Sequence, residues 1–189
     1  MQGKAGTAGS LRIIGGQWRG RKLPVPDLPG LRPTTDRIRE TLFNWLSPVL
    51  ADSRCLDLFA GSGALGLEAL SRGAAHCDFV ELERPAAQAI GESLTRLGAQ
   101  ERAEVHCEDA LRFMECARGP YDLVFLDPPF AEGRLDESTR ALIGAGLLRP
   151  EALVYVEYPV KQAFAPPQDW EPWRSKRSAA VVYELYRAP

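Results

Sequence analysis

Residues 55–68 read CLDLFAGSGALGLE, and the succession of residue types in that stretch decides the fold. Cys55–Phe59 is a short apolar strand, Gly61, Gly63 and Gly66 follow, and Ala64–Arg72 has the composition of a helix. A strand that turns through glycines into a helix opens a βα unit. Glycine accepts positive φ and lets the main chain pass close to a ligand. The helix start behind it offers N–H groups that have no partner within the helix. The spacing Gly61-x-Gly63-x-x-Gly66, with Glu81 twenty residues beyond Gly61, also matches the dinucleotide fingerprint, so a nicotinamide cofactor would account for the glycines equally well. Asp57, four residues before Gly61, turns the reading. A carboxylate there suits a cationic ligand and sits badly beside a pyrophosphate.

Outward from this unit, strands and helices alternate. Strands are predicted at Cys55–Phe59, Cys77–Leu82, Glu104–Cys107, Leu123–Leu126 and Leu153–Glu157. Helices are predicted near Ala64–Arg72, Pro85–Leu97, Ala110–Cys116 and Leu135–Ala145. Such alternation implies a parallel sheet with right-handed crossovers. Beyond Pro159 the pattern changes, and Trp170–Arg174 with Val181–Tyr186 reads as a closing antiparallel pair. Ahead of the α/β region, Arg12–Ile14 and Gln17–Leu23 read as two strands of a hairpin around Gly15 and Gly16. Residues 24–33 hold four prolines and read as an extended linker. Thr34 or Thr35 then caps a helix reaching about Trp45, with Asp36 in its first turn and Pro48 beyond its end. The expected division is a flexible tail at 1–10, a basic extension at 11–48 and the α/β domain at 49–189.

The second informative stretch is Tyr121–Phe130, YDLVFLDPPF. Its apolar run suits a strand buried on both faces, as in a parallel sheet. Asp127 then lies at the strand's carboxyl end, where open α/β sheets bind their ligands. Pro128 and Pro129 fix their own φ angles, and Pro129 restricts Pro128 as well, so the loop is stiff. A rigid loop with an acceptor, exposed carbonyls and an aromatic face suits a flat base bearing an amino group. Together the two stretches form the double signature of S-adenosylmethionine-dependent methyltransferases acting on exocyclic amines of bases; each stretch alone is weak.

The resemblance is closer than that superfamily. Residues 11–46, LRIIGGQWRGRKLPVPDLPGLRPTTDRIRETLFNWL, resemble the amino-terminal signature of the bacterial 16S rRNA guanine-N2 methyltransferases of the small-subunit methyltransferase D family. LDLFAGSGALGLEALSRGA and DLVFLDPPF are similar to that family's two core motifs, and matching segments run from about Leu11 to Arg187. The resemblance implies a Rossmann-like class I S-adenosylmethionine-dependent methyltransferase. Its sheet would be mostly parallel and seven-stranded, with a terminal antiparallel hairpin and a small amino-terminal hairpin and helix. It implies methylation of one guanine, position 966 in the usual rRNA numbering, on an assembled or assembling small ribosomal subunit.

Candidate roles follow from the acids at successive strand ends. Gly61 and Gly63, with Phe59 and Ser62 in the same turn, would bring the backbone to the methionine part of the cofactor, and Asp57 would hold its ammonium directly or through water. Glu81, or Glu83 two residues on, would accept both ribose hydroxyls, and Asp109 would accept from the adenine amino group. The family further suggests that the segment containing Thr34, Arg37 and Arg39 folds over the cofactor. For transfer, Asp127 and the Pro128 carbonyl would accept hydrogen bonds from the target amine, Pro129 would stiffen the loop and Phe130 would stack on the base. The amine's lone pair is delocalised, and it can lose its proton after gaining the methyl group, so no strong base is demanded.

The 189 residues carry 45% hydrophobic and 25% charged side chains, as a globular domain does. No apolar run approaches the ~20 residues that span a bilayer, and no secretory signal is read at the start. Four cysteines without a C-x-x-C pair fit a reduced, cytoplasmic setting. His76 and His106 stand alone in the sequence, so no metal is expected, and a monomer is. The net charge of −2 is unevenly spread: residues 1–39 hold eight basic side chains against two acidic, and residues 40–189 hold fifteen against twenty-three. A basic arm on an acidic body suggests an anionic partner, and Arg12, Trp18, Arg19, Arg21 and Lys22 are its candidate RNA contacts. A DNA amino-methyltransferase would share DPPF, but this chain has no room for a target-recognition domain. An NAD-dependent oxidoreductase would leave Asp57 and DPPF unexplained, and a non-catalytic RNA-binding module would explain the arm alone.

Overall fold

The computed structural model describes residues 9–28, 35–117, 119–129 and 134–189. Its centre is a seven-stranded sheet whose strands lie in the order 103–106, 76–80, 54–57, 121–126, 148–159, 181–187 and 171–177. The parallel strands are β3 (Arg54–Asp57), β4 (His76–Val80), β5 (Ala103–His106), β6 (Tyr121–Leu126) and β7 (Leu148–Pro159). The chain closes with β8 (Glu171–Arg177) and β9 (Val181–Arg187); β9 lies antiparallel between β7 and β8. This is the Rossmann-like architecture expected. Helices α1 (Asp36–Leu46), α2 (Ala64–Ser71) and α3 (Arg84–Leu97) share one apolar cluster on one face, and α4 (Ala110–Cys116) and α5 (Arg134–Gly144) lie over a second cluster on the other. No helix among the described residues is long and apolar enough to cross a membrane.

Helix ends follow local chemistry. Thr35 caps α1, its hydroxyl accepting from Ile38 N–H at 3.4 Å, and Asp109 caps α4. Gly98 ends α3 in the left-handed conformation (φ 67°). Several strands stop earlier than their apolar runs imply: Phe59, Leu82 and Cys107 lie beyond β3, β4 and β5. Leu82 and Cys107 are exposed at the carboxyl edge, Phe59 stays half-buried against the second apolar cluster, and Cys55 and Cys77 pair side by side within the sheet.

The amino-terminal hairpin differs from expectation in its strands. It pairs β1 (Gly9–Arg12) with β2 (Lys22–Val25), so Gly9 and Ser10 belong to a strand and not to a tail, and Pro24 belongs to a strand and not to a linker. The connection is a nine-residue loop with a 3-10 turn at Gly16–Trp18, because the loop is moulded on the end of α2. Gly16 has φ +75°, and a Cβ there would overlap the Ser71 carbonyl. The hairpin covers the outer side of α2, so all eight α2 residues are buried and the helix has no polar stripe. The one charge in it, Glu68, is fully buried. It accepts from Ile14 N–H and Gly15 N–H, each at 2.8 Å, and from Arg72 Nε at 2.7 Å. Leu11, Ile13, Trp18, Leu23 and Val25 enter the same apolar cluster as the sheet.

Candidate active site

The carboxyl ends of β3, β4, β5 and β6 bring together the glycine loop, Glu81, Asp109 and Asp127. Gly61 (φ 55°) and Gly63 (φ 75°) both adopt the left-handed region, and Gly63 caps α2. Glu81 turns back over this loop. One of its oxygens accepts from Gly61 N–H and the other from Glu83 N–H, both at 2.7 Å. Of the two acids in the ELE sequence, Glu81 therefore faces the glycines, while Glu83 is exposed at the start of α3. Phe59 and Ser62 are half-buried beside the loop.

Asp57 is 2% exposed, and its carboxylate accepts from Gly66 N–H at 2.9 Å. Burial pushes its pKa up to about 7, against the pull of the Gly66 hydrogen bond and with help from the charge of Glu81. Its visible work is to anchor the first turn of α2. Asp109 is likewise engaged: one oxygen accepts from Leu111 N–H and Arg112 N–H, and the other from Arg134 at 2.6 Å. Burial works against its charge, but the Arg134 hydrogen bond and the two N–H groups outweigh it and hold the carboxyl below its usual value. The Arg134 guanidinium also lies 5.9 Å from the Phe59 ring centre, tying α5 across the edge of the cleft.

In the loop after β6, Asp127 is half-buried, Pro128 is buried and Pro129 is exposed. Phe130 and Thr34 lie outside the described residues. Sequence reasoning missed two neighbours. Leu126 pairs with Val156, so Glu157 emerges beside Asp127 in the parallel register. Glu157 is 6% exposed and accepts from the Tyr155 hydroxyl at 2.6 Å. Burial raises its pKa, opposed by that hydrogen bond. The Tyr155 pKa is raised first by burial, then by the charges of Glu157 and Asp127, so both acids act on one hydroxyl. Pro128, Pro129, Glu157 and Tyr158 line a common cleft. The only sequence sign of this was an acid ending an apolar strand, the sign that marked Glu81.

The arm residues are distributed otherwise than the sequence suggests. Trp18 is 8% exposed, with the Arg102 guanidinium over its ring at 5.3 Å, so it is a core residue and not a stacking platform for bases. Arg12 pairs with Asp36 at 2.8 Å. Arg39, suggested as a cofactor contact, is 1% exposed. It donates to Asp36 at 2.6 Å and to the Arg12 carbonyl at 2.9 Å, joining α1 to the hairpin. Arg37, Arg19, Arg21 and Lys22 are exposed. The hairpin tip sits against the carboxyl ends of α2 and α3: Trp18 N–H reaches Ser71 Oγ at 3.1 Å, and Arg21 reaches the Arg96 carbonyl at 3.1 Å. In a parallel α/β sheet those helix ends lie at the edge opposite the glycine loop.

Two further polar groups lie away from the glycine loop, near the amino ends of the strands. Asp78 receives the Tyr121 hydroxyl at 2.7 Å, Arg54 at 3.0 Å and His76 at 2.9 Å, with His106 and Glu104 nearby. Arg54 already supplies the positive charge there. A cavity of about 360 Å³ opens between Asp52, Asp122, Arg149, Glu151 and Arg187, beside the start of β6.

Comparison with known proteins agrees with this geometry. The family described as "Conserved hypothetical protein 95" matches residues 11–187. Ribosomal RNA small subunit methyltransferase D of Escherichia coli (strain K12) is 52% identical over 181 residues, covering 95% of this chain and 91% of that protein. The solved structure of a putative methyltransferase, yhhF from Escherichia coli, superposes with a TM-score of 0.88 at 49% identity, covering 95% of this chain and 98% of the other. SMU.776, a putative methyltransferase complexed with SAH, shares the fold at 16% identity, with a TM-score of 0.64 and coverage of 89% and 54%.

Proposed function

We propose a specific reaction for this chain, which belongs to the ribosomal RNA small subunit methyltransferase D family and is an S-adenosylmethionine-dependent rRNA methyltransferase: methylation of the exocyclic N2 of guanine 966 in 16S rRNA, on the small subunit. The observation that carries the choice of base is the pair of acids Asp127 and Glu157, side by side at the ends of β6 and β7. On the Watson–Crick edge of guanine the N2 amine is flanked by a second donor, N1–H, with the O6 acceptor beyond it, whereas adenine presents an acceptor, N1, directly beside its amino group. A lining rich in acceptors therefore favours guanine, in agreement with the family resemblance.

The residues of the glycine loop fit S-adenosylmethionine. Two glycines at positive φ open the backbone, and the N-terminus of α2 faces a carboxylate favourably. Glu81 offers two acceptor oxygens for a ribose diol, exchanging its hold on Gly61 N–H. Asp57 acts from behind through the loop, holding the first turn of α2 through Gly66 N–H. Asp109 keeps acceptor capacity on the oxygen shared with Arg134. When bound, the cofactor supplies an electrophilic methyl group.

On the other side of the cleft, Asp127 and the Pro128 carbonyl accept from the N2 amine and orient its lone pair, and Phe130 stacks on the ring. Fixing two reactants in this way lowers a barrier by ~7–11 kcal/mol in favourable cases. Drawing the base out of its stack costs roughly a few kcal/mol, less in a loop than in a duplex.

The test is methyl transfer to small subunits from cells lacking the endogenous enzyme, with the modified base mapped. Asp127→Ala should nearly abolish turnover yet leave cofactor affinity within a few-fold. Glu81→Ala should weaken cofactor binding by ~1.5–3 kcal/mol, the cost of a charged hydrogen bond. Methylation of an adenine, or a near-parental rate with Asp127→Ala, would refute this reading.

A further inference from the structure

We propose that the edge strand β8, Glu171–Arg177, is the surface that holds the RNA phosphates flanking the target base; the proposal rests on the rRNA reading above. The strand is exposed along nearly its whole length and carries Arg174, Lys176 and Arg177, with Lys161 exposed in the connection that leads to it. Among the described residues, none of these four cations has a carboxylate within 4.0 Å. Arg174 instead lies over the Trp173 ring at 4.9 Å, with Arg187 also near that ring at 5.8 Å.

The position of the strand supports the assignment. Tyr158 pairs with Val182, and Val182 pairs with Arg177, so the cationic end of β8 lies at the same edge of the sheet as the carboxyl ends of β6 and β7. Tyr158 itself lines the cleft with Pro128 and Pro129, and the charge of Arg177 acts on its hydroxyl. At a strand spacing of about 4.8 Å, three steps from β6 to β8 put Arg177 roughly 14 Å from the end of β6. That is the reach of a few nucleotides from a base lifted into the cleft. The glycine loop and its acids occupy the other half of the sheet, so a strand of RNA entering over β6, β7 and β9 does not cross the cofactor.

The charge distribution points the same way. Residues 160–189 hold five basic against three acidic side chains, whereas residues 40–159 hold ten against twenty. Most of the body would repel a polyanion, and β8 lies in the segment that would not. The basic tip of the amino-terminal hairpin is charged too, but it packs on the carboxyl ends of α2 and α3, at the far edge of the sheet. It can meet only RNA that passes around the molecule. A simpler use for cations on an edge strand is to stop two edges from pairing.

The experiment compares Arg174→Gln/Lys176→Gln/Arg177→Gln with a charge-matched control, Arg19→Gln/Arg21→Gln/Lys22→Gln. The apparent KM for small subunits is measured over a series of salt concentrations, alongside S-adenosylmethionine affinity and thermal melting. Each phosphate contact contributes about −0.7 to the log–log salt slope on single strands. The β8 variant should flatten the plot by about two units with unchanged cofactor affinity, and the control by less than one. A β8 variant that keeps the parental slope overturns the proposal, whether or not it becomes prone to association through the bared edge. Equal flattening in both variants also overturns it, because net charge alone would then explain the effect. If the parental protein methylates no subunit, the rRNA reading falls and this proposal falls with it.

Discussion

Gly66 and Gly91 lie inside helices, in α2 and α3, and alanine at the two positions should act in opposite directions. In a helix interior alanine is favoured over glycine by about 1 kcal/mol. At Gly91 nothing lies within 4 Å of an added Cβ. Gly91→Ala should therefore stabilise the protein by ~0.4–1 kcal/mol. At Gly66 the same atom would overlap Phe79 Cε1, with Phe79 Cζ at 2.7 Å and Cys77 Sγ at 2.8 Å. Both neighbours are fully buried in β4 and have nowhere to go. Helix α2 cannot retreat either, because the hairpin clamps its outer side through Glu68. Overpacking costs ~1–3 kcal/mol, so after a gain in helix propensity of about 1 kcal/mol Gly66→Ala should lose up to about 2 kcal/mol. Any shift of α2 also strains the Gly66–Asp57 hydrogen bond and moves the glycine loop, so cofactor affinity should fall as well. Urea unfolding with linear extrapolation and calorimetric titration with S-adenosylmethionine read both effects. If Gly66→Ala proves as stable as Gly91→Ala, close packing is not the role of the third glycine and the reasoning fails.

Three other outcomes follow from buried groups. Glu68→Ala removes the acceptor of two hairpin N–H groups and the partner of Arg72, and leaves Arg39 buried 3.5 Å from a lost charge; breaking such a buried pair costs ~3–5 kcal/mol, read by chemical denaturation. Trp18→Ala should likewise cost ~3–5 kcal/mol of stability while leaving the salt dependence of subunit binding unchanged; a binding defect in a stably folded Trp18→Ala protein would contradict its placement in the core. Asp57 predicts a pH dependence. Its folded pKa of about 7 lies above the unfolded value near 3.8, so the folded state holds the proton more tightly, and stability contributed at low pH is lost as pH rises from about 4 to about 7. The three-unit difference corresponds to on the order of 4 kcal/mol, and Asp57→Asn should flatten the stability profile across that window. A parallel profile for the two proteins would refute the buried, proton-holding state of Asp57.

Architecture and chemistry class were both legible in the order of residues along the chain. Apolar runs alternating with helical stretches implied the parallel sheet, because a strand buried on both faces needs no polar alternation. Glycines after β3 and DPP after β6 marked the edge where ligands bind, because both motifs act through local backbone geometry. Acids just past strands placed Glu81 and Asp109 at that edge for the same reason. Roles set by partners distant in sequence emerged only with the fold. Asp57 is turned inward because Gly66 N–H and the core lie behind it. Trp18 is buried because the end of α2 receives the hairpin loop, and Arg39 because Glu68 and the hairpin surround it. Glu157 joins Asp127 only through the register of β6 against β7. The basic tip of the arm lies far from the DPP loop, and the cationic end of β8 lies near it, because sheet order places residues 177 and 127 at one edge. Charge counted along a chain records how much charge a segment carries, and only the folded sheet brings one charge near another.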